Sequence, residues 1–207
     1  MPKFKLNLKL FFLLKVLIVY SLLYLYSFAD NNEINEQTIV LGSNNAPVKI
    51  KIFSSLTCPH CASFHNKVVS KIKKEFIENG KVQLIFFDFP LDQAAFNASK
   101  LLHCLEDEHQ MKYLDIIYNS QSDWASGSNI DEINKKLQKI VNEMDINQDN
   151  FNKCLINDAI TDKILNFRID ASKQYAITST PTIIINEKKL EGDATFKNIK
   201  KKIEKII

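Results

Sequence analysis

Two cysteines separated by two residues stand where a predicted strand passes into a predicted helix. The apolar run Val48 to Phe53 is typical of a β-strand, and Cys58-Pro59-His60-Cys61 follows it closely. An amphipathic helix is predicted from Pro59 to about Glu78, because apolar residues recur there every four positions: Phe64, Val68, Ile72 and Phe76. A second apolar strand, Val82 to Phe87, completes a β-α-β unit. We therefore expect an α/β protein with a cysteine pair at one edge of its sheet.

The stretch from residue 92 to residue 175 has only helical periodicity. Its predicted helices are Ala94 to Leu105, Met111 to Tyr118, Ile130 to Met144, and Phe151 to Tyr175 with a possible break. A polar joint, Ser120 to Asn129, separates two of them, and Trp124 within it is expected to anchor helix packing. Residues 92–175 are thus predicted to be an all-helical insertion.

Strand character frames this insertion on both sides. Ile39 to Leu41 is a short predicted strand, and Thr182 to Ile185 is another, followed by a tight turn at Asn186-Glu187. After Gly192 a last helix is predicted to carry four apolar residues on one face: Phe196, Ile199, Ile203 and Ile206. Residues 30–91 and 176–207 are therefore interpreted as the two parts of one sheet domain.

The first 29 residues have the three-part pattern of an export signal. A basic start precedes the apolar run Val16 to Tyr26, and Ser27-Phe28-Ala29 fits a signal-peptidase site, so cleavage is expected after Ala29. The alternative is an uncleaved inner-membrane anchor over Leu10 to Phe28. Both interpretations place the body of the protein outside the cytosol, and a bacterial periplasm is the simplest destination.

The charge balance excludes nucleic acid as a partner. Lys and Arg total 27 against 24 Asp and Glu, but four of the lysines precede residue 30, where no acid occurs. The remainder carries 23 basic and 24 acidic residues, so the body lacks the positive field that nucleic-acid binding requires.

In an oxidising compartment, paired cysteines indicate disulfide chemistry. The unpaired N–H groups and the dipole at the helix start stabilise a thiolate at Cys58, which we predict to be the nucleophile. Cys61, one turn inside the helix, is predicted to be the less exposed resolving thiol. Pro59 contributes no N–H, and His60 can add positive charge near the Cys58 sulfur.

A zinc site is the competing use of these residues. It would combine Cys58 and Cys61 with histidines, for which the candidates are His60, His65, His103 and His109. A closed site needs four converging ligands, and no second CxxC or HxxxH supplies them. We therefore predict no metal and no other cofactor, and we interpret His65 as an ordinary helix residue at the rim of the active site.

The other two cysteines, Cys104 and Cys154, lie on separate predicted helices of the insertion. A bond between them would close a loop of about 50 residues, which the chain-entropy model values at about 4 kcal/mol. Export favours this structural disulfide, and two buried free thiols are the alternative.

The order of these motifs resembles the DsbA family of exported thiol–disulfide oxidoreductases. The resemblance rests on Thr57-Cys58-Pro59-His60-Cys61, Phe86-Phe87-Asp88-Phe89-Pro90-Leu91, the helical insertion and Thr180-Pro181-Thr182. It implies a thioredoxin fold with the insertion over the active site, a cis Pro181, and Thr180 facing the cysteine pair. It also implies cysteine-containing exported substrates, a membrane partner similar to DsbB that reoxidises the pair, and a second bridge within the insertion of some relatives.

One position departs from the family pattern. Six residues before the first cysteine the family commonly has an acid that relays a proton to the second thiol, and this chain has Ile52. Lys51 beside it faces the opposite side of the strand and is assigned no role. Three functions stay open: a disulfide-forming oxidase, an isomerase or reductase with the same site, and an envelope surface or adhesion protein. A monomer is favoured because no dimerisation domain is evident.

Overall fold

The computed structural model describes residues 39–207. The predicted signal peptide, residues 1–29 with its cleavage after Ala29, lies outside the described residues, as does the start of the first sheet segment. The described residues belong to one compact unit that begins at Gln37.

Five strands form one mixed sheet in the order β1-β3-β2-β4-β5. They are β1 Ile39–Leu41, β2 Val48–Ser54, β3 Val82–Asp88, β4 Thr182–Ile185 and β5 Lys188–Lys189. β2 and β3 pair in parallel, as the β-α-β prediction requires, and the other neighbours are antiparallel. The pairing of β4 with β2 brings the segment before Thr182 to the end of β2 that leads to the cysteines.

The two central strands are apolar because both faces of the sheet are covered. Ile50 and Leu84 are completely buried, and Ile52 is 2% exposed. The structure therefore places an apolar, buried side chain at position 52.

The helix α1 starts at Pro59, directly after the cysteine-bearing loop. It runs through the consecutive segments Pro59–Phe64, His65–Val69, Ser70–Ile72 and Lys73–Ile77, of which the second and fourth are π-helical. All four residues of its predicted apolar face are buried. The predicted amphipathic helix is therefore confirmed, with local widening where the two π-helical segments occur.

The insertion is helical throughout its length. Its helices are α2 Gln93–Cys104, α3 Asp107–Asn119, α4 Gln121–Trp124, α5 Ile130–Asn142, α6 Gln148–Leu155 and α7 Asp158–Tyr175. The suspected break near Phe151 to Tyr175 lies at Ile156 and Asn157, where the Asn157 side chain caps α7. The predicted joint Ser120 to Asn129 contains the short helix α4, in which buried Trp124 donates from Nε1 to the Ile117 carbonyl at 2.8 Å.

The last part of the chain closes the sheet and covers it. Asn186 and Glu187 both have positive φ, 42° and 64°, which confirms the tight turn between β4 and β5. The final helix, α8, is Phe196–Ile203. Ile206 was predicted on its apolar face, but α8 ends before this residue and Ile206 is 43% exposed.

Within residues 39–207, no helix has both the length and the apolar character needed to cross a bilayer.

Candidate active site

The two cysteines of the CPHC segment lie at the start of α1. Cys58 is the N-cap residue, with an extended backbone, and Pro59 occupies the first helical turn, where its missing N–H costs no hydrogen bond. Both thiols are free; Cys58 is 9% exposed and Cys61 is 2% exposed. The structure therefore orders the two sulfurs by access, with Cys58 the more accessible and Cys61 enclosed.

The environment lowers the pKa of Cys58. Burial alone would raise this pKa, but hydrogen bonds from Thr180, from Cys61 and from the backbone N–H of His60 outweigh it. The N–H groups belong to the open first turn of α1, where they have no partner within the helix. The site thus stabilises a negative charge on the Cys58 sulfur.

Cys61 behaves in the opposite way. Burial, reinforced by a negative charge on Cys58, raises its pKa to about 12, although hydrogen bonds from Thr180 and the Ser55 backbone oppose the rise. Cys61 is therefore a neutral thiol at neutral pH. The pKa values of two cysteines three positions apart are therefore shifted in opposite directions, because Cys61 lies one helical turn deeper than Cys58.

The Thr180-Pro181 segment faces this pair across the sheet edge. Its peptide bond is cis, and the Cys58 thiol donates to the Thr180 carbonyl oxygen at 3.4 Å. The Thr180 hydroxyl is buried and makes no hydrogen bond of normal length among residues 39–207. Its O–H is therefore available to the two sulfurs, and it lowers the pKa of both. The structure therefore brings Thr180 and Pro181 together with Cys58 and Cys61, while the His60 side chain is exposed beside them.

Polar contacts hold the loop between β2 and α1 to the start of the insertion. Asp92 caps α2 by accepting from the Ala95 backbone N–H, and its other oxygen accepts from the Thr57 hydroxyl at 2.6 Å. Ser55 lies between them, 3.2 Å from the Thr57 hydroxyl, and accepts from the Leu91 backbone N–H. Sequence reasoning missed Asp92 as a site residue, although an Asp directly before a helical run is a recognisable N-cap signal.

A second set of hydrogen bonds joins the loop between β2 and α1 to the insertion, at α4. Gln121, the first residue of α4, donates from Nε2 to the carbonyl oxygens of Leu56 at 2.8 Å and Cys58 at 3.1 Å. No local sequence signal marks Gln121, because its partners lie more than sixty positions earlier in the chain.

A buried polar cluster joins the end of β3 to α2. Asp88 accepts from the Ser99 hydroxyl at 2.7 Å, and its second oxygen lies 2.7 Å from Nε2 of His103. The side chains of His103 and Asp88 are only 5% and 10% exposed. Asp88 is the partner of Ser54 in the sheet, whereas the position of the family acid, Ile52, is opposite Phe86.

Two residues near the site differ from their predicted settings. His65 is buried and not at the rim; its Nε2 lies 2.7 Å from the Asp115 carboxylate on α3, and its ring packs 4.8 Å from that of Tyr118. Lys51 was assigned no role, but its Nζ contacts the Tyr175 hydroxyl and the Glu187 carboxylate, both at 2.7 Å. Burial by itself would lower the pKa of Lys51, but its contacts with Glu187 and Tyr175 outweigh the burial, and the pKa is raised.

The second cysteine pair lies within the insertion. Cys104 at the end of α2 and Cys154 in α6 are joined by a disulfide, with their Cα atoms 6.1 Å apart. Cys154 is 7% exposed.

The histidines that a zinc site would need are dispersed. His103 pairs with Asp88 and His65 with Asp115, while His109 lies 3.6 Å from Glu108. In the part of the chain that the structure describes, no three His, Cys, Asp or Glu side chains are grouped so that they could hold a metal ion.

Comparisons with known proteins agree with this geometry. Residues 34–205 match the family model described as thioredoxin. The crystal structure of Wolbachia pipientis alpha-DsbA1 superposes with a TM-score of 0.75 at 32% identity, covering 83% of this chain and 91% of that chain. Oxidised BdbD from Bacillus subtilis shares the fold, with a TM-score of 0.70 at 23% identity over 81% of this chain and 91% of its own.

Curated sequences give a consistent result. A Rickettsia bellii protein named as a protein-disulfide oxidoreductase is 26% identical over 155 residues, 74% of this chain and 59% of its own length. Disulfide bond formation protein D of Bacillus subtilis is 25% identical over 177 residues, 80% of this chain and 75% of its own. The chain spans 55% to 63% of the length of the Rickettsia relatives that it matches. With the cysteine geometry and the helical insertion, these matches show that the chain belongs to the thioredoxin family, among its DsbA-like members.

Proposed function

We propose that this protein introduces disulfide bonds into other exported proteins through a Cys58–Cys61 disulfide. The observation that carries the proposal is the opposite effect of the site on its two thiols: the pKa of Cys58 is lowered and that of Cys61 is raised. A stabilised Cys58 thiolate favours the reduced form of the pair, and a pair that prefers to be reduced oxidises its substrates.

The oxidised pair reacts in two balanced steps. A substrate thiolate attacks the Cys58 sulfur, a mixed disulfide forms, and Cys61 leaves with the electron pair and takes up a proton, as its raised pKa requires. A second substrate thiolate then attacks the substrate sulfur of the mixed disulfide and releases Cys58 as a thiolate. The substrate gains one disulfide, and two electrons pass to Cys58 and Cys61.

Access supports Cys58 as the sulfur that is attacked. It is the more exposed of the two, and it lies beside the Thr180 carbonyl at the edge of the sheet. An extended substrate chain can bind along Thr180 and Pro181 and present its cysteine to Cys58. Cysteine-containing exported proteins are therefore the proposed substrates.

The magnitude of the effect follows from the pKa of Cys58. Each unit by which the site lowers this pKa favours the thiolate by about 1.4 kcal/mol. For a two-electron couple that free energy corresponds to roughly 30 mV toward the oxidising end of the scale.

Each turnover leaves the pair reduced, so the proposed function includes a membrane redox partner, similar to DsbB, that reoxidises Cys58 and Cys61. The periplasm is the proposed location, with the apolar stretch before Ala29 as the export signal. The reaction itself requires no bound cofactor, since the two sulfurs carry both electrons.

The equilibrium with glutathione tests the direction of the reaction. An oxidase is expected to equilibrate near −120 mV, whereas a pair that works as a reductase lies near −270 mV, as thioredoxin does. Mass spectrometry after alkylation identifies which thiols have reacted. A potential at the reducing end would overturn the oxidase and favour the reductase or isomerase.

A further inference from the structure

Gln121 is a buried polar residue of the insertion whose contacts are made to the active-site loop. It is 9% exposed, and its amide nitrogen donates to the carbonyls of Leu56 and Cys58 at 2.8 and 3.1 Å. These carbonyls bracket Thr57 and Cys58, so one side chain contacts the backbone on both sides of the nucleophile. A buried amide that satisfies two backbone acceptors is costly to replace with an apolar group.

The Cys58 carbonyl has a second partner in the first turn of α1. It accepts from the Ala62 backbone N–H at 3.1 Å. Because two donors bind this oxygen, the peptide plane after Cys58 cannot turn freely, and the two hydrogen bonds hold Cys58 at its ψ of 118°. That torsion sets where the following N–H groups of His60 and Cys61 lie relative to the Cys58 sulfur.

Gln121 is itself held rigidly. Trp124, three residues later in α4, is 1% exposed and donates to the Ile117 carbonyl at 2.8 Å. The Ser120 hydroxyl, immediately before Gln121, donates to the Ile116 carbonyl at 2.7 Å. The amide is therefore presented from a fixed support.

We propose that Gln121 is a positioning residue for Cys58, through which the helical insertion sets the direction of the Cys58 backbone and the placement of its sulfur against the N–H groups of α1. The inference rests on the proposed redox role of Cys58. It concerns how the pKa and the glutathione equilibrium of Cys58 differ between variants, and not whether the parent protein oxidises or reduces its substrates.

Gln121→Met and Gln83→Met form a matched pair of variants. Gln83 is also buried, at 3% exposure, and its amide donates to the side chain of Asn44, away from the cysteines. Both substitutions remove a buried amide and preserve its bulk, so both are expected to lower stability. Gln121→Glu keeps the shape but replaces the donor with an acceptor that faces two carbonyls.

The measurements are the pKa of Cys58 from thiolate absorbance and the equilibrium constant with glutathione. For Gln121→Met we expect a rise of about one pKa unit and a roughly tenfold less oxidising equilibrium. Gln121→Glu is expected to exceed both changes, and Gln83→Met is expected to match the parent protein in both.

Equal values for Gln121→Met and the parent protein would overturn the proposal. Unfolding of both Gln121 variants while Gln83→Met stays folded would also overturn it, because the assigned effect is local. The parent protein's own potential tests the oxidase proposal separately, so failure of one inference is distinguishable from failure of the other.

Discussion

The two cysteine pairs of this chain have the same side chains but lie in different environments, and only Cys104 and Cys154 are bonded to each other. Cys58 and Cys61 lie at a helix start, where open N–H groups and Thr180 lower the pKa of one thiol and burial raises that of the other. Cys104 and Cys154 join two helices of the insertion through a disulfide. The comparison teaches that the position of a sulfur relative to a helix start separates a reactive pair from a structural one.

The largest effect is expected when Cys58, in the pair at the helix start, is replaced. Cys58→Ser removes the sulfur that substrate thiols attack, and we expect disulfide formation in a reduced test protein to fall by at least about a thousandfold. The measurement is the rate of oxidative refolding of that protein. The matched control, Cys104→Ser with Cys154→Ser, is expected to keep most of the activity.

A substitution of the same cysteine, Cys58→Ala, addresses the adhesion alternative. An envelope surface protein on a thioredoxin scaffold would keep its biological role in cells that carry Cys58→Ala. Loss of that role together with loss of activity supports the redox function.

The next effect concerns the structural pair. Cys104→Ala with Cys154→Ala opens a loop of 50 residues, and we expect the free energy of unfolding to fall by about 4 kcal/mol. Urea denaturation followed by circular dichroism measures the loss. The pKa of Cys58 is expected to stay at its parent value, and a large shift in it would show that the two pairs are coupled.

A smaller effect is expected at the cap that joins the loop to the insertion. Asp92→Ala removes the α2 N-cap and the bond to Thr57, and Asn129→Ala removes the equivalent cap of α5, far from the cysteines in sequence. Each cap is worth about 1 kcal/mol of stability, measurable in urea. Only Asp92→Ala is expected to alter the reaction rate of Cys58 with glutathione. Equal rates in both variants would remove Asp92 from the site.

The smallest effect is a pH dependence of stability that comes from the contact between His65 on α1 and Asp115 on α3. Burial lowers the pKa of His65, although Asp115 partly opposes this, so the folded state binds fewer protons than the unfolded state. Stability is therefore expected to fall as the pH drops below about 6.5, with a slope of at most about 1.4 kcal/mol per pH unit. His65→Phe should flatten this slope in urea titrations at several pH values. An unchanged slope would exclude His65 as its source.

Much of this architecture could be predicted because it depends on local periodicity. The apolar spacing of α1 and the alternation from strand to helix are set by which faces are buried, so they are legible in neighbouring residues. The same reasoning placed Cys58 at a helix start, where the chemistry follows from helix geometry. The resemblance to DsbA then added Thr180 and Pro181, which sequence spacing alone would have left as a turn.

The remaining features join residues that are far apart in the chain. Gln121 contacts Leu56 across 65 positions, and Lys51 contacts Tyr175 across 124. Such pairings depend on how helices and strands are packed, which no short sequence pattern encodes. His65 illustrates the same limit, because its burial depends on the approach of α3.

Direct titration of the parent protein tests the central claim. Thiolate absorbance in the reduced protein should show Cys58 ionising at a lower pH than an unperturbed cysteine, and Cys61 still protonated until about pH 12. A Cys58 that titrates at about pH 8.5, like an unperturbed cysteine, would contradict the proposed source of oxidising power.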